Sequence, residues 1–266
     1  MHNAGYQALA LDFLFLALEV EPALLGQAVA GARALGFRGC SVTKPFKEAV
    51  IPLLDHLDGT AAAIGAVNTV LNENGVLSGF NSDWIGAVRA IEEAAGVGDA
   101  GRNSGEAPAP GSLSGLRVCI AGAGGAGKAI AWGLKRAGCT VVLFNRDTRK
   151  GKDAADLFGV EFGGASAEIP AAGPFDAFVN ATSVGMGDAG APSPIPPSAL
   201  RAGNVVLDAV IRPRNTALLR AARAARCRAV PGARMLLYQG LFQFRLFTGV
   251  EPPAAAMSRA LDRALR

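Results

Sequence analysis

The sequence predicts an α/β protein of two domains, and three observations carry that reading. Strand-like and helix-like runs alternate along most of the chain. A glycine-rich turn at 122–127 stands between an apolar strand and a helix. The composition, 266 residues with 50% hydrophobic, 18% charged, 34 Gly, 15 Pro and only 6% aromatic, is enough for a real core and is rich in tight turns. Such a chain is neither disordered nor fibrous.

Before residue 98 the runs 11–20, 37–43, 66–71 and 76–80 read as strands, and 23–35, 46–57 and 84–95 read as helices. Residues 98–115 are small, polar and breaker-rich with no hydrophobic period, and read as a mobile linker or a loop insertion. After it the order becomes strict: strand 116–121, glycine turn, helix 126–137, strand 140–144 and helix 149–158, one mononucleotide-binding unit. Further strands are expected at 177–180 and 205–209, and helices at 234–247 and 253–265. The expected division is therefore residues 1–97, the linker 98–115, a Rossmann-like domain 116–231, and terminal helices 232–266.

The net charge of +4 is spread along the chain, which argues against a nucleic-acid stripe. The densest basic group, Arg220, Arg223, Arg226 and Arg228, reads as the solvated face of a helix. Cys40, Cys119, Cys139 and Cys227 lack metal or redox spacing and fit reduced thiols of a cytoplasmic protein. The apolar start carries Asp12 and has no basic residue before Arg33, so neither a signal peptide nor a membrane span is expected. No metal site is expected.

Gly122, Ala123, Gly124, Gly125, Ala126 and Gly127 satisfy G-x-G-x-x-G directly after a strand and at the mouth of a helix. That placement is what pyrophosphate binding requires: a tight turn, a close backbone approach, and unpaired N–H groups aimed at the anion. Where an NAD site usually carries an acidic residue, about twenty residues on, stand Asn145 and Arg146. An arginine there suits a 2′-phosphate, so NADP is expected over NAD, with Lys150 as a second cation. Asp147 is expected to cap the following helix.

Three polar clusters, Ser41 to Lys47, Gly65 to Thr69 and Gly79 to Asp83, end or flank strands, where α/β folds place ligands. Taken with the glycine motif, Asn145-Arg146, Asn180 to Met186 and Gly232 to Gln239, they resemble the shikimate dehydrogenase family in order and spacing. The resemblance implies an N-terminal substrate domain, an NADP-binding Rossmann-like domain, and terminal helices that return to the first domain. It implies reversible, NADP-dependent reduction of 3-dehydroshikimate to shikimate in aromatic amino-acid biosynthesis. It also implies Lys47 and Asp83 as the acid–base pair, Ser41, Thr43, Asn68 and Gln239 as substrate ligands, and Thr182 and Gly232 at the cofactor. A lysine fits the proton-transfer role because it can lose its proton where an arginine cannot, and this chain has six lysines against 20 arginines.

Some positions depart from that pattern. Ser41 stands where asparagine is common, Ser82 where threonine is usual, and Ile211 where tyrosine is typical. The match begins at the helix carrying His2 and Asn3, so the family's first strand and Ser-x-Ser turn are expected upstream of Met1, the alternative being an altered paralogue. Two further readings stay open from the residues: a quinate or other cyclitol dehydrogenase, and a non-catalytic NADP-binding protein. A small-molecule substrate is expected, a homodimer is an open reading, and Lys44 has no assigned role.

Overall fold

The computed structural model describes residues 1–97, 103–188 and 190–266. It contains two sheets. The first has four strands in the order β1-β3-β4-β2, with β1 Gly39–Ser41, β2 His56–Leu57, β3 Thr69–Glu73 and β4 Val76–Phe80. β3 pairs antiparallel with both β1 and β4, whereas β2 runs parallel to β4. Helices α1 His2–Ala8, α2 Leu25–Ala34, α3 Phe46–Ala49 and α4 Gly59–Ile64 belong to this half of the chain.

Helix α5, Asp83–Ala95, leads out of it. Its residues Trp84 to Ile91 are buried on every side, because α5 is packed between neighbours rather than laid on a surface. Trp84 meets Trp132 of the next half edge-on at 5.1 Å.

The second sheet is six-stranded and fully parallel, in the order β10-β9-β8-β5-β6-β7. Its strands are β5 Arg117–Ala121, β6 Thr140–Phe144, β7 Glu161–Gly164, β8 Ala177–Asn180, β9 Val205–Asp208 and β10 Arg228–Pro231. That order is doubly wound, and it reverses between β5 and β8, which opens a crevice beyond their carboxyl ends. Helices α6 Gly125–Arg136, α7 Thr148–Phe158 and α8 Ala217–Ala224 serve as its covers. Val118, Ile120, Leu143, Val179 and Leu207 are buried in it, the unbroken apolar pattern that a sheet covered on both faces needs. Helices α9 Gly232–Thr248 and α10 Ala254–Ala264 then return to the first half, where Tyr6 of α1 stacks on Phe244 of α9 at 5.1 Å.

Several expected elements differ. Residues 11–20 form no strand and join no sheet among the described residues. An apolar run makes a strand only where a neighbouring backbone completes the ladder. Here a side chain takes that place at Phe15: Asn3 donates to the Phe15 carbonyl at 3.0 Å and accepts from the Phe15 N–H at 2.7 Å. The single helix expected over 46–57 is broken into α3, a 3₁₀ turn Ile51–Leu53 and β2, because Pro52 cannot donate to a continuing helix.

Of the linker, residues 98–102 lie outside the described residues. Residues 103–115 run against the helices: Arg89 of α5 donates to the carbonyls of Glu106 and Ala107, and Leu113 is buried. Of the arginine group, Arg220 and Arg223 sit on α8, whereas Arg228 lies on β10 and donates to the carbonyls of Ala94 and Ala95. Among the described residues no helix is long and apolar enough to cross a membrane, and no group of three or more His, Cys, Asp or Glu side chains gathers as a metal site.

Candidate active site

The glycine turn joins β5 to α6 at the crevice. Gly122 has φ +111°, a conformation that favours glycine, and its N–H donates to the Phe144 carbonyl at 2.8 Å. A Cβ added at Gly127 would collide with the Gly122 carbonyl oxygen, so the helix can approach the strand only because that side chain is missing. At Gly124 and Gly125 an added Cβ would meet nothing within 4 Å. The backbone therefore presents a bare cradle at the start of α6, with Ala126 in its first turn, and such a surface fits a dinucleotide pyrophosphate.

Asn145 ties this turn to the end of β6. Its Oδ1 accepts from the Ala123 N–H at 3.0 Å and its Nδ2 donates to the Asp147 carbonyl at 2.7 Å. Asp147 caps α7, accepting from the Lys150 N–H at 3.1 Å, as expected from the sequence. The exposed side chains of Arg146 and Lys150 then border a cavity of about 250 Å³ with Ala123, Gly124, Asn145 and Asp147. Two cations beside this turn suit a phosphorylated ribose.

On the other side of the crevice, β8 ends in Asn180. The Asn180 Oδ1 accepts from both the N–H and the hydroxyl of Thr182, at 2.9 and 2.7 Å, which folds the following loop back on the strand. The Asn180 Nδ2 donates to Asp208 at 2.9 Å, and Thr216 donates to the other Asp208 oxygen at 2.6 Å. Burial pushes the Asp208 carboxyl above its usual range, while the bonds from Thr216, Val210 and Asn180 oppose that shift. Gly232 opens α9 directly after β10.

The second cluster is built around Asp83, the first residue of α5, where the helix dipole favours a carboxylate. Lys47 on α3 places Nζ 2.6 Å from Asp83 Oδ2, and their side chains are 16% and 4% exposed. The other oxygen, Oδ1, accepts from Asn68 Nδ2 and from Gln239 Nε2, both at 3.0 Å. Gln239 reaches it because α9 crosses close to α5 at Gly86, where an added Cβ would stand 2.5 Å from the Met235 carbonyl oxygen and 2.7 Å from Gln239 Cγ. Ser41 ends β1 and its hydroxyl accepts from Gln243 Nε2 at 3.2 Å. Thr43 lies in the turn before α3, and Lys44 beside it is exposed.

Lys128 on α6, one residue past the glycine motif, approaches Glu48 on α3 at 3.5 Å, so the helix that the glycine turn opens lies next to the helix that carries Lys47. Lys47, Asn68 and Gln239, all expected from the sequence, converge on Asp83, and Ser41 joins them through Gln243. The Thr43 side chain is not brought into this network. Sequence reading missed Gln243, Thr69 and the Asp208–Thr216 support of the Asn180 loop. The spacing of Gln239 and Gln243, four apart on one helix, was the available signal. A larger depression of about 480 Å³ lined by Ser112, Asp176, Asn204 and Arg228 lies at the amino ends of β5, β8, β9 and β10, away from both clusters.

Residues 1–70 match the family model described as Shikimate dehydrogenase substrate binding domain, and residues 232–261 match Shikimate 5'-dehydrogenase C-terminal domain. The chain is 41% identical to the shikimate dehydrogenase (NADP(+)) of Moorella thermoacetica over 277 residues, covering 100% of this chain and 88% of that one. It is 45% identical to the shikimate dehydrogenase (NADP(+)) of Rubrobacter xylanophilus, covering 98% and 89%. Among solved structures it is similar to shikimate 5-dehydrogenase of Thermus thermophilus in complex with NADP(H) and shikimate, at a TM-score of 0.85 and 34% identity, over 99% of this chain and 93% of that one.

Proposed function

The chain belongs to the shikimate dehydrogenase family, and from that premise we propose that Lys47 and Asp83 move the proton in an NADP-dependent, reversible reduction of 3-dehydroshikimate to shikimate. The observation that carries the assignment is the 2.6 Å contact between Lys47 Nζ and a buried Asp83 oxygen, with the Lys47 helix lying next to the helix that the glycine turn opens. NADP supplies the hydride donor in reduction and the acceptor in oxidation.

In the reductive direction the Lys47 ammonium has three N–H bonds. One is committed to Asp83, and the others are available to the substrate oxygen, so the proton passes from Nζ to the developing alkoxide. In oxidation the neutral amine takes the hydroxyl proton back. Asp83 holds the amine in place, and the N–H groups of Asn68 and Gln239 hold the carboxylate in turn. Ser41, Thr43, Asn68 and Gln239 are assigned to the substrate, since short hydrogen-bonding groups suit a polyhydroxylated ring.

Gly122, Ala123, Gly124, Gly125, Ala126 and Gly127 are assigned to the pyrophosphate, Asn145, Arg146 and Lys150 to the phosphorylated ribose, and Thr182 and Gly232 to the remainder of the cofactor. The division of the chain into a substrate half, a cofactor half and returning helices belongs to the same proposal. So does a cytoplasmic location, which the four free thiols support.

The test is formation of NADPH from shikimate and NADP. Lys47→Ala is expected to lower turnover by orders of magnitude while NADP still binds. Retention of wild-type turnover by Lys47→Ala would remove the assignment.

A further inference from the structure

Behind Asp83 the buried polar side chains form one directed chain of hydrogen bonds. The Ser82 N–H can only donate, and it meets Asn68 Oδ1 at 2.8 Å, so the Nδ2 of Asn68 is the atom turned toward Asp83. Asn68 Oδ1 also accepts from the Thr69 hydroxyl at 2.9 Å. With its proton committed there, Thr69 Oγ1 must accept its next bond, and Gln243 Nε2 donates to it at 2.9 Å. The same Nε2 reaches Ser41 Oγ at 3.2 Å. Asn68, Thr69, Ser82 and Gln243 are all nine-tenths or more buried, so water cannot replace a lost partner in this chain.

From this we infer that Gln243 is a positioning residue for the proton-transfer pair. It fixes the hydroxyl direction of Thr69, which joins the N–H and hydroxyl of Ser82 in holding the Asn68 amide with its N–H toward Asp83. A second branch leaves the Ser41 proton free to donate into the cleft, since Ser41 Oγ already accepts from Gln243. The effect of Gln243 reaches Lys47 and Asp83 through Thr69 and Asn68.

The inference rests on the assignment of Lys47 and Asp83 as the proton-transfer pair, and the experiment separates the two. Steady-state kinetics of shikimate oxidation are measured for Gln243→Leu, Thr69→Val, their double variant, Thr69→Ser and Lys47→Ala, with thermal midpoints alongside. Gln243→Leu and Thr69→Val are each expected to lower kcat about tenfold, the loss of about one net hydrogen bond, with the KM for NADP unchanged. The double variant is expected to be no slower than the slower single one, because both break the same chain. Thr69→Ser, which restores the hydroxyl, is expected to recover most of kcat.

A kcat for Gln243→Leu within twofold of wild type, losses that multiply in the double variant, or a Thr69→Ser as slow as Thr69→Val would each overturn the positioning role. If Lys47→Ala kept its rate, the proton-transfer assignment would fall instead.

Discussion

Asp83 accepts from three different elements at once: Lys47 of α3 at 2.6 Å on one oxygen, and Asn68 just before β3 and Gln239 of α9 at 3.0 Å each on the other. A carboxylate so engaged holds the Lys47 Nζ in one position. Asp83→Asn keeps the shape but replaces one acceptor oxygen by a donor that points at Lys47 or at the Asn68 and Gln239 amides. The expected result is a kcat for shikimate oxidation reduced by about 10²- to 10⁴-fold, the range of general acid–base contributions, with the KM for NADP within a factor of about two. A loss confined to KM would show that Asp83 binds substrate only.

The glycine motif and the strict strand–helix order after residue 115 were legible because each rests on a local pattern, a turn that only glycine fits and unbroken apolar strands, whereas the pairing of Lys47 with Asp83, 36 residues on, came only from the family resemblance. Residues 11–20 were misread for a physical reason. An apolar run suggests a strand, but the ladder partner is a tertiary fact, and there the backbone of Phe15 is met by the Asn3 side chain. Gln243 was missed for the complementary reason. Its partners Ser41 and Thr69 lie 202 and 174 residues away, so its four-residue spacing from Gln239 names a shared helix face but not what that face meets.

Arg146 separates two cofactors that differ by one phosphate. It stands exposed beside the cavity at the end of β6, while the neighbouring carboxylate, Asp147, is drawn off to cap α7. Arg146→Ala is expected to raise the KM for NADP by about 10- to 100-fold, the loss of one charge-assisted bond, and to leave the KM for NAD nearly unchanged. The ratio of kcat/KM for the two cofactors, measured with saturating shikimate, checks it. An equal loss with both cofactors would place Arg146 away from the 2′-phosphate.

Gly86 controls how near α9 comes to α5, since a Cβ there would stand 2.5 Å from a backbone carbonyl oxygen, which cannot move without moving the helix. Gly86→Ala is therefore expected to destabilise the fold by about 1–3 kcal/mol, as overpacking does, despite the higher helix propensity of alanine. It is also expected to raise the KM for shikimate, because Gln239 rides on the displaced helix. Urea unfolding and shikimate kinetics on the same preparation test both parts, and a stabilised variant would contradict the close approach.

His2 gives the fold a pH dependence whose sign follows from its surroundings. It is buried, stacked on Phe15 at 4.5 Å, and its Nδ1 has no partner. Burial brings its pKa from 6.5 down to about 4, against an opposing hydrogen bond with Gln243. Between those two values the unfolded chain binds a proton that the native chain does not. Stability contributed by the neutral imidazole is therefore full above pH 6.5 and is lost as pH falls toward 4. At about 1.36 kcal/mol per pKa unit the loss is at most about 3 kcal/mol. His2→Gln, which keeps a polar partner for Gln243 without titrating, should lose less stability than the wild type over that window. The measurement is the urea midpoint of both proteins at intervals from about pH 7 to about pH 4, spanning the two pKa values, and parallel curves would show that His2 takes up its proton equally in the folded and unfolded states.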